Sequence, residues 1–250
     1  MTPLALTLLP AVFFIAMVLT MVGLGGGLIF SPLFVLLGLP QAGAASAALL
    51  LNLVAAGAAA WTYARRGMVD YALGLPLIAA SSLTAPLGAG LNLRLPPGVF
   101  LAVLATILTL AGAVMLLPPR AEEEPRAPRR ARMLGGAAIG ACTGLLGGLL
   151  GIGGGVFIVP LLVHVLGVPV RTAAASSTFI VCFSSLTGFA GYASLSAVDW
   201  AFVLPAAGAC ALGGLAGARL MAHRLHGRAV RLVFSLTLLA MSLGLLARLL

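Results

Sequence analysis

Long apolar runs, separated by short polar breaks, make up most of the 250-residue chain. Residues 3 to 64 contain no Asp, Glu, Lys, Arg or His, and about 20 consecutive apolar residues are enough for one membrane-spanning helix. The pattern predicts an all-α polytopic membrane protein with about eight long transmembrane helices and two short ones. The long helices are predicted at residues 4–22, 42–64, 71–92, 98–117, 134–150, 173–195, 200–222 and 229–248, and the short ones at 28–38 and 156–167.

Two stretches of the sequence are alike, and the likeness extends over nearly the whole chain. VGLGGGLIFSPLFVLLGLP at residues 22–40 matches LGIGGGVFIVPLLVHVLGVP at 150–169, with one residue inserted in the second copy. Both copies are followed by a Ser, by a Gly eleven residues after it, and by an Asp next to an aromatic residue. The chain is therefore predicted to consist of two tandem homologous membrane repeats, at residues 1–117 and 133–250.

The segment between the repeats, PPRAEEEPRAPRRAR at residues 118–132, is rich in proline and charge. Such a segment cannot lie in hydrocarbon, so we expect a cytoplasmic linker there.

Composition supports the membrane assignment. The chain is 62% hydrophobic and 8% charged, with a mean hydropathy of +1.19, whereas soluble domains carry about 25% charged residues. The net charge of +9 would suggest nucleic acid in a soluble protein. Here the arginines lie between apolar segments, where the positive-inside rule places them, so no nucleic-acid partner is predicted. The three cysteines lie in apolar segments without metal-ligand spacing, and no metal or other cofactor is predicted.

Charge placement also indicates the orientation of the helices. Basic residues cluster at Arg65 and Arg66, in the linker, and in the run from Arg219 to Arg231. If all of these are cytoplasmic, the short segments must return the chain across the membrane, the repeats have inverted topology, and both termini lie outside. If the short segments do not cross, the repeats are parallel and one basic cluster is misplaced. Inversion is the favoured interpretation.

The GxGGG sequences at residues 23–27 and 151–155 interrupt the apolar runs. A nucleotide-binding loop needs a strand before it, and the Walker type needs a Lys, which this chain lacks. A glycine face for helix packing fits a different set, at four-residue spacing: Gly136, Gly140, Gly144 and Gly148. Consecutive glycines each cost about 1 kcal/mol of helix stability relative to Ala, so we interpret GxGGG as a helix break.

Each break predicts part of an anion-binding site. A helix that restarts inside the membrane presents unpaired N–H groups and a partial positive charge, and we expect the two breaks to face one another near the midplane. The predicted substrate-binding residues are the break glycines and the polar residues that follow them: Gly25, Gly26, Gly27, Ser46, Asn52, Gly153, Gly154, Gly155, Ser176, Ser177 and Thr178.

The polar residues of this set also have structural interpretations. A Ser or Thr in a membrane helix often bonds its own backbone or a neighbouring helix, and Asn52 is either a link between helices or a ligand. His164 lies within a short segment, where it serves either packing or proton coupling. Arg171, at the start of the next helix, either attracts anions or anchors at the membrane interface. The acids lie at predicted loops or segment ends, and the absence of a mid-span carboxylate argues for an anionic substrate.

Taken together, these motifs resemble those of the TauE/SafE family of membrane permeases, also called the sulfite exporter or four-toluene-sulfonate uptake family. The resemblance rests on GxGGG followed by apolar residues and Pro, on Gly-Leu-Pro or Gly-Val-Pro, on a small-small-Ser start of the next helix, and on RRGMVDY at residues 65–71. It covers both repeats. It implies a carrier of small organosulfur anions such as sulfite or sulfonates in the inner membrane of a bacterial or archaeal cell.

The repeats depart from the family pattern in different places. The Gly-Thr-Ser often found in the family stands here as Ala44-Ala45-Ser46 and as Ser176-Ser177, and the Arg-Arg-Gly turn is lost in the second repeat. We therefore expect an asymmetric site in which second-repeat hydroxyls, including Ser184 and Ser185, predominate.

The predicted function is secondary transport by alternating access, with one repeat rocking against the other. A passive anion channel is the alternative. An intramembrane enzyme is a weaker one, because the Gly-x-Ser-Gly context of a nucleophilic serine is absent, and no catalytic residue is predicted. The expected partners are a small anion and the lipid bilayer, and assembly into a homo-oligomer is left open.

Overall fold

The computed structural model describes residues 3–36, 38–92, 94–118, 129–193 and 200–249. Within these ranges the chain forms ten α-helices and no strand. Most of the predicted linker and Asp199 lie outside the described residues. The helices are α1 (Pro3–Met21), α2 (Gly27–Leu36), α3 (Gln41–Arg65), α4 (Tyr71–Asn92), α5 (Pro97–Leu116), α6 (Arg129–Leu150), α7 (Gly155–His164), α8 (Val170–Ala193), α9 (Trp200–Arg224) and α10 (Gly227–Leu249).

The helices agree with the hydrophobic pattern, including the two short helices, which have 10 residues each. Six helices among the described residues are long and apolar enough to cross a membrane, and they correspond to α3, α4, α5, α8, α9 and α10. The described apolar parts of α1 and α6 are shorter, at Leu9–Met21 and Leu134–Leu150. An all-α, multi-pass membrane protein is therefore the fold class that the helices support.

The predicted glycine ladder joins α6 to α4. Gly140, Gly144 and Gly148 lie against the backbone of Leu77, Ser81 and Ala85, and a Cβ atom on Gly140 would be 2.6 Å from the Leu77 carbonyl oxygen. The contacts advance by one turn in the same sense on both helices, so α4 and α6 run parallel. Glycine is required here because the two backbones approach too closely for any side chain.

A similar ladder joins α9 to α1. Gly213 lies against the Phe13 backbone and Gly217 against the Met17 backbone, so these two helices are also parallel. The first long helix of each half of the chain thus packs against the fourth helix of the other half. Because these contacts cross between the halves, neither half buries its helices by itself.

Two further pairs of helices are antiparallel, and the first of them, α3–α8, is the most buried. In the α3–α8 pair, Leu49 lies near Gly188 and Gly57 near Cys182. In the α5–α10 pair, the Thr109 and Ser242 hydroxyls are 2.6 Å apart, and the Ser235 hydroxyl donates to the Gly112 carbonyl.

Helix directions follow from these registers. Arg171, at the start of α8, contacts the end of α9, so α9 is antiparallel to α8 and parallel to α3. Since α1 is parallel to α9, α1 and α3 run in the same direction. Two consecutive long helices can run in the same direction only if the segment between them leads the chain back to the side where the first helix began. Between α1 and α3, that segment is α2 with its flanking residues.

One end of the molecule, which we call the basic end, gathers the ends of α3 and α9 and the starts of α8 and α10. There the Arg171 Nη2 donates to the carbonyls of Met221 and Ala222, at 3.4 and 2.8 Å. The Arg66 guanidinium meets the His223 ring, and Arg231 donates to the Leu117 carbonyl. These cations stabilise the carboxyl-terminal ends of helices, where the helix dipole is negative.

Candidate functional site

The two GxGGG breaks meet inside the protein. A Cβ atom on Gly155 would be 2.9 Å from the Leu24 carbonyl oxygen and 3.0 Å from that of Gly23. A Cβ atom on Gly27 would be 3.2 Å from the Ile152 Cα. The breaks therefore pack backbone against backbone, and all of their residues are buried.

Glycine is also required by the conformation of each break. Positive φ angles occur at Gly25 (70°), Gly153 (74°) and Gly154 (79°), in the left-handed region that L side chains rarely adopt. The helices before the breaks end with backbone hydrogen bonds from Leu24 N–H to Leu19, at 2.9 Å, and from Ile152 N–H to Gly147, at 3.0 Å. The predicted helix breaks are confirmed at both places.

The breaks leave backbone donors without a partner. Among the described residues, the N–H groups of Gly25, Gly27, Gly154 and Gly155 make no hydrogen bond. These groups belong to the amino-terminal ends of α2 and α7, where the helix dipole is positive. A buried, unpaired donor is costly in hydrocarbon, and a group of them is suited to an anion.

Asn52 connects both breaks. It is fully buried on α3, and its Oδ1 accepts the Gly26 N–H at 2.5 Å. Its Nδ2 donates to the Ser185 hydroxyl at 2.8 Å and to the Ile152 carbonyl at 3.4 Å. Of the two interpretations that the sequence allowed, the structure shows the link between helices.

Serine hydroxyls donate to carbonyls within the breaks or next to them. Ser177 donates to Gly23 at 2.8 Å, Ser184 to Gly153 at 2.9 Å, and Ser31 to Leu150 at 3.3 Å. Ser46 is different, because its hydroxyl is buried and makes no hydrogen bond among the described residues. Ser46 follows Ala45, whose side chain lies against Gly151.

Three predicted residues lie away from this contact or bond elsewhere. The Ser176 hydroxyl accepts the Asp70 N–H at 2.9 Å, near the basic end. The Thr178 hydroxyl donates to Ala174 in its own helix at 2.9 Å. Arg171 donates to the carbonyls of Met221 and Ala222 at the end of α9.

Sequence reasoning missed two tyrosines. Tyr63 donates to the Thr20 carbonyl at 2.9 Å, and Tyr192 donates to the Gly148 carbonyl at 3.1 Å. Both side chains are fully buried, and each bonds the carbonyl three residues before the first glycine of a break. A comparison of TYARRG with GYASLS, beyond the glycines and serines, could have found the pair.

Comparison with known proteins identifies the family. Residues 8–245 match the family described as Sulfite exporter TauE/SafE. The chain belongs to the TauE/SafE family. The resemblance seen in the sequence motifs is confirmed, and membrane transport is the general activity that the family indicates.

Two relatives have names of the same kind. The probable membrane transporter protein YunE of Bacillus subtilis (strain 168) is 39% identical over 83 residues, which are 33% of this chain and 30% of that protein. The probable membrane transporter protein ORF9 of Sinorhizobium sp is 28% identical over 187 residues, which are 75% of this chain and 72% of that protein. No solved structure matches the chain. Over most of its length the chain is thus similar to a protein named as a probable membrane transporter.

Proposed function

We propose that this TauE/SafE protein is a secondary transporter of a small organosulfur anion, such as sulfite or a sulfonate. The observation that supports the proposal best is the meeting of two helix breaks whose buried N–H groups lack partners. Backbone donors at the amino-terminal ends of helices can bind an anion without a side-chain cation. The family's description as sulfite exporters suggests the chemical class.

The arrangement of the helices supports two inverted repeats. In the first half α1 and α3 run toward the basic end, whereas their counterparts α6 and α8 run away from it. In this proposal all ten helices contribute to crossing the membrane, with the short helices completing two of the passes. The basic end is cytoplasmic and both termini are outside. Arg94 and Arg248 lie toward the other end and are exceptions to the charge rule.

The contacts also suggest which helices move together during alternating access. Because α1 packs on α9 and α6 on α4, a rotation of one half of the chain against the other would separate both glycine ladders. Bodies made of α1, α2, α3 and α9 and of α4, α6, α7 and α8 keep both ladders intact. The α3–α8 contact and the two breaks then lie between the moving bodies, as alternating access requires.

A flux assay on purified protein in proteoliposomes tests the proposal. We expect saturable exchange of sulfite or sulfoacetate that competes with unlabelled anion. Gly154→Leu and Ser177→Leu should abolish it, whereas the matched control Gly90→Leu should not, since Gly90 is exposed and has no neighbour within 4 Å.

Two results would contradict the proposal. If neither anion is moved, and both break variants leave every measured flux unchanged, the proposed site is wrong. Passive, non-saturating conductance would instead favour the channel.

A further inference from the structure

The side-chain amide of Asn52 accepts a hydrogen bond from a backbone N–H group that an anion in the proposed site would otherwise use. Its Oδ1 accepts the N–H of Gly26, whose neighbours Gly25 and Gly27 present N–H groups without a partner. The approach is so close that a Cβ atom on Gly25 would overlap Oδ1. An uncharged oxygen of the protein thus lies where an oxygen of a sulfite or sulfonate group would bind.

The other end of the same amide holds the second break. Nδ2 donates to Ile152, between α6 and α7, and to Ser185 on α8. In the proposed division into moving bodies, Asn52 and Gly26 belong to one body, and Ile152 and Ser185 to the other. The amide group is planar and rigid, so Oδ1 cannot swing away from Gly26 without disturbing the bonds of Nδ2.

We propose that Asn52 is an internal placeholder for the substrate, and that its displacement by the anion releases the link between the two breaks. This inference rests on the proposed function and concerns the same site. The exchange is favourable because a hydrogen bond to a charged acceptor is roughly twice as strong as one between neutral groups. Substrate binding is thereby coupled to the separation of the moving bodies, and Asn52 is a positioning residue that the anion replaces.

Asn52→Ala distinguishes this role from the two simpler ones. If Asn52 were a direct substrate ligand, the variant would bind sulfite more weakly. If it were only a structural link, thermal stability would fall and the Kd for sulfite would not change. A placeholder competes with the substrate, so its removal makes binding tighter.

The expected change follows from the strength of one hydrogen bond. Losing a neutral competitor worth about 0.5–1.5 kcal/mol lowers the Kd for sulfite by roughly 2- to 12-fold. Thr62→Ala is the control on the same helix, because the Thr62 hydroxyl donates to the Ala58 carbonyl of α3 and has no contact with either break among the described residues. Its Kd should stay within about twofold of wild type.

The experiment is a calorimetric titration of the purified full-length protein in detergent with sulfite and, separately, with sulfoacetate. If Asn52→Ala does not fold, Asn52→Ser takes its place, because the serine side chain is polar but too short to reach Gly26. It should also bind sulfite more tightly than the wild-type protein. An unchanged or higher Kd in the folded Asn52 variants overturns the placeholder role while the proposed function stands. If wild-type protein neither binds nor transports these anions, the proposed function itself fails.

Discussion

Two serines at matching positions of the two repeats should respond differently to the same substitution. Ser177 and Ser46 are both fully buried. The Ser177 hydroxyl donates to the Gly23 carbonyl at 2.8 Å, whereas the Ser46 hydroxyl makes no hydrogen bond among the described residues. Ser177→Ala should therefore destabilise the protein, and Ser46→Ala should leave its stability unchanged or raise it.

The size of the difference follows from the hydrogen bonding. Removing the Ser177 hydroxyl loses one hydrogen bond and leaves the buried Gly23 carbonyl without its partner, which costs about 0.5–2 kcal/mol in a membrane protein. Removing the Ser46 hydroxyl takes an unsatisfied polar group out of an apolar site, which is worth up to about 1–3 kcal/mol in the opposite direction.

Thermal unfolding of the detergent-solubilised protein measures this difference. One kcal/mol shifts the Tm of a protein of this size by roughly 2–4 °C, so Ser177→Ala should lower the Tm by about 1–8 °C while Ser46→Ala does not lower it. Equal losses in both variants would refute the reasoning, because they would mean that Ser46 has a bonding partner of similar strength.

Three further predictions test the packing, the tyrosines and the topology. Gly140→Ala on the α4–α6 ladder should lower stability by about 1–3 kcal/mol through overpacking, and the same change at Gly135, which has no neighbour within 4 Å, should be neutral or slightly stabilising in the same unfolding assay. Tyr63→Phe and Tyr192→Phe should each cost about 0.5–1.5 kcal/mol, and no loss of Tm in either would remove their role in fixing the helix ends. In a cysteine-free background, Tyr71→Cys should be labelled from the cytoplasmic side and Trp200→Cys from outside. Labelling of both from one side would contradict the inverted repeats.

The sequence was sufficient to predict most of the helices and the positions of the breaks. Hydrophobic run length defines helices, and consecutive glycines define breaks wherever they occur, so both signals are local. The glycine ladder on α6 could be predicted for the same reason, since four-residue spacing places Gly140 and Gly144 on one face of the helix. That α4 packs against this ladder could not be predicted, because helix propensity and hydropathy do not show which helix a given apolar face contacts.

The contacts at the site depend on registers between distant helices. Ser176 and Ser177 are adjacent, yet they point about 100° apart around α8, so one meets Asp70 and the other Gly23. The packing of α8 against the first half of the chain decides which serine makes which bond. The three partners of Asn52 likewise come from two breaks and from α8. Tyr63 and Tyr192 stand at matching positions of the two repeats, so the sequence did contain a signal for them. A single matching residue is weak evidence for a site, however, unless its role is already known.

The interlocking of α1 with α9 has a consequence for how the protein is made. The residues of α1 emerge from the ribosome about 200 residues before the glycines of α9 that pack against them. At about 5–20 residues per second, α1 waits roughly 10–40 s in the membrane for its partner. Until α6, α7 and α8 are made, the first break also lacks Ile152 and Ser185 beside it. A newly synthesised first half is therefore an incomplete folding unit, which the insertion machinery must shield until the second half is made. If the two halves are expressed as separate chains, we expect each to accumulate only when the other is produced in the same cell.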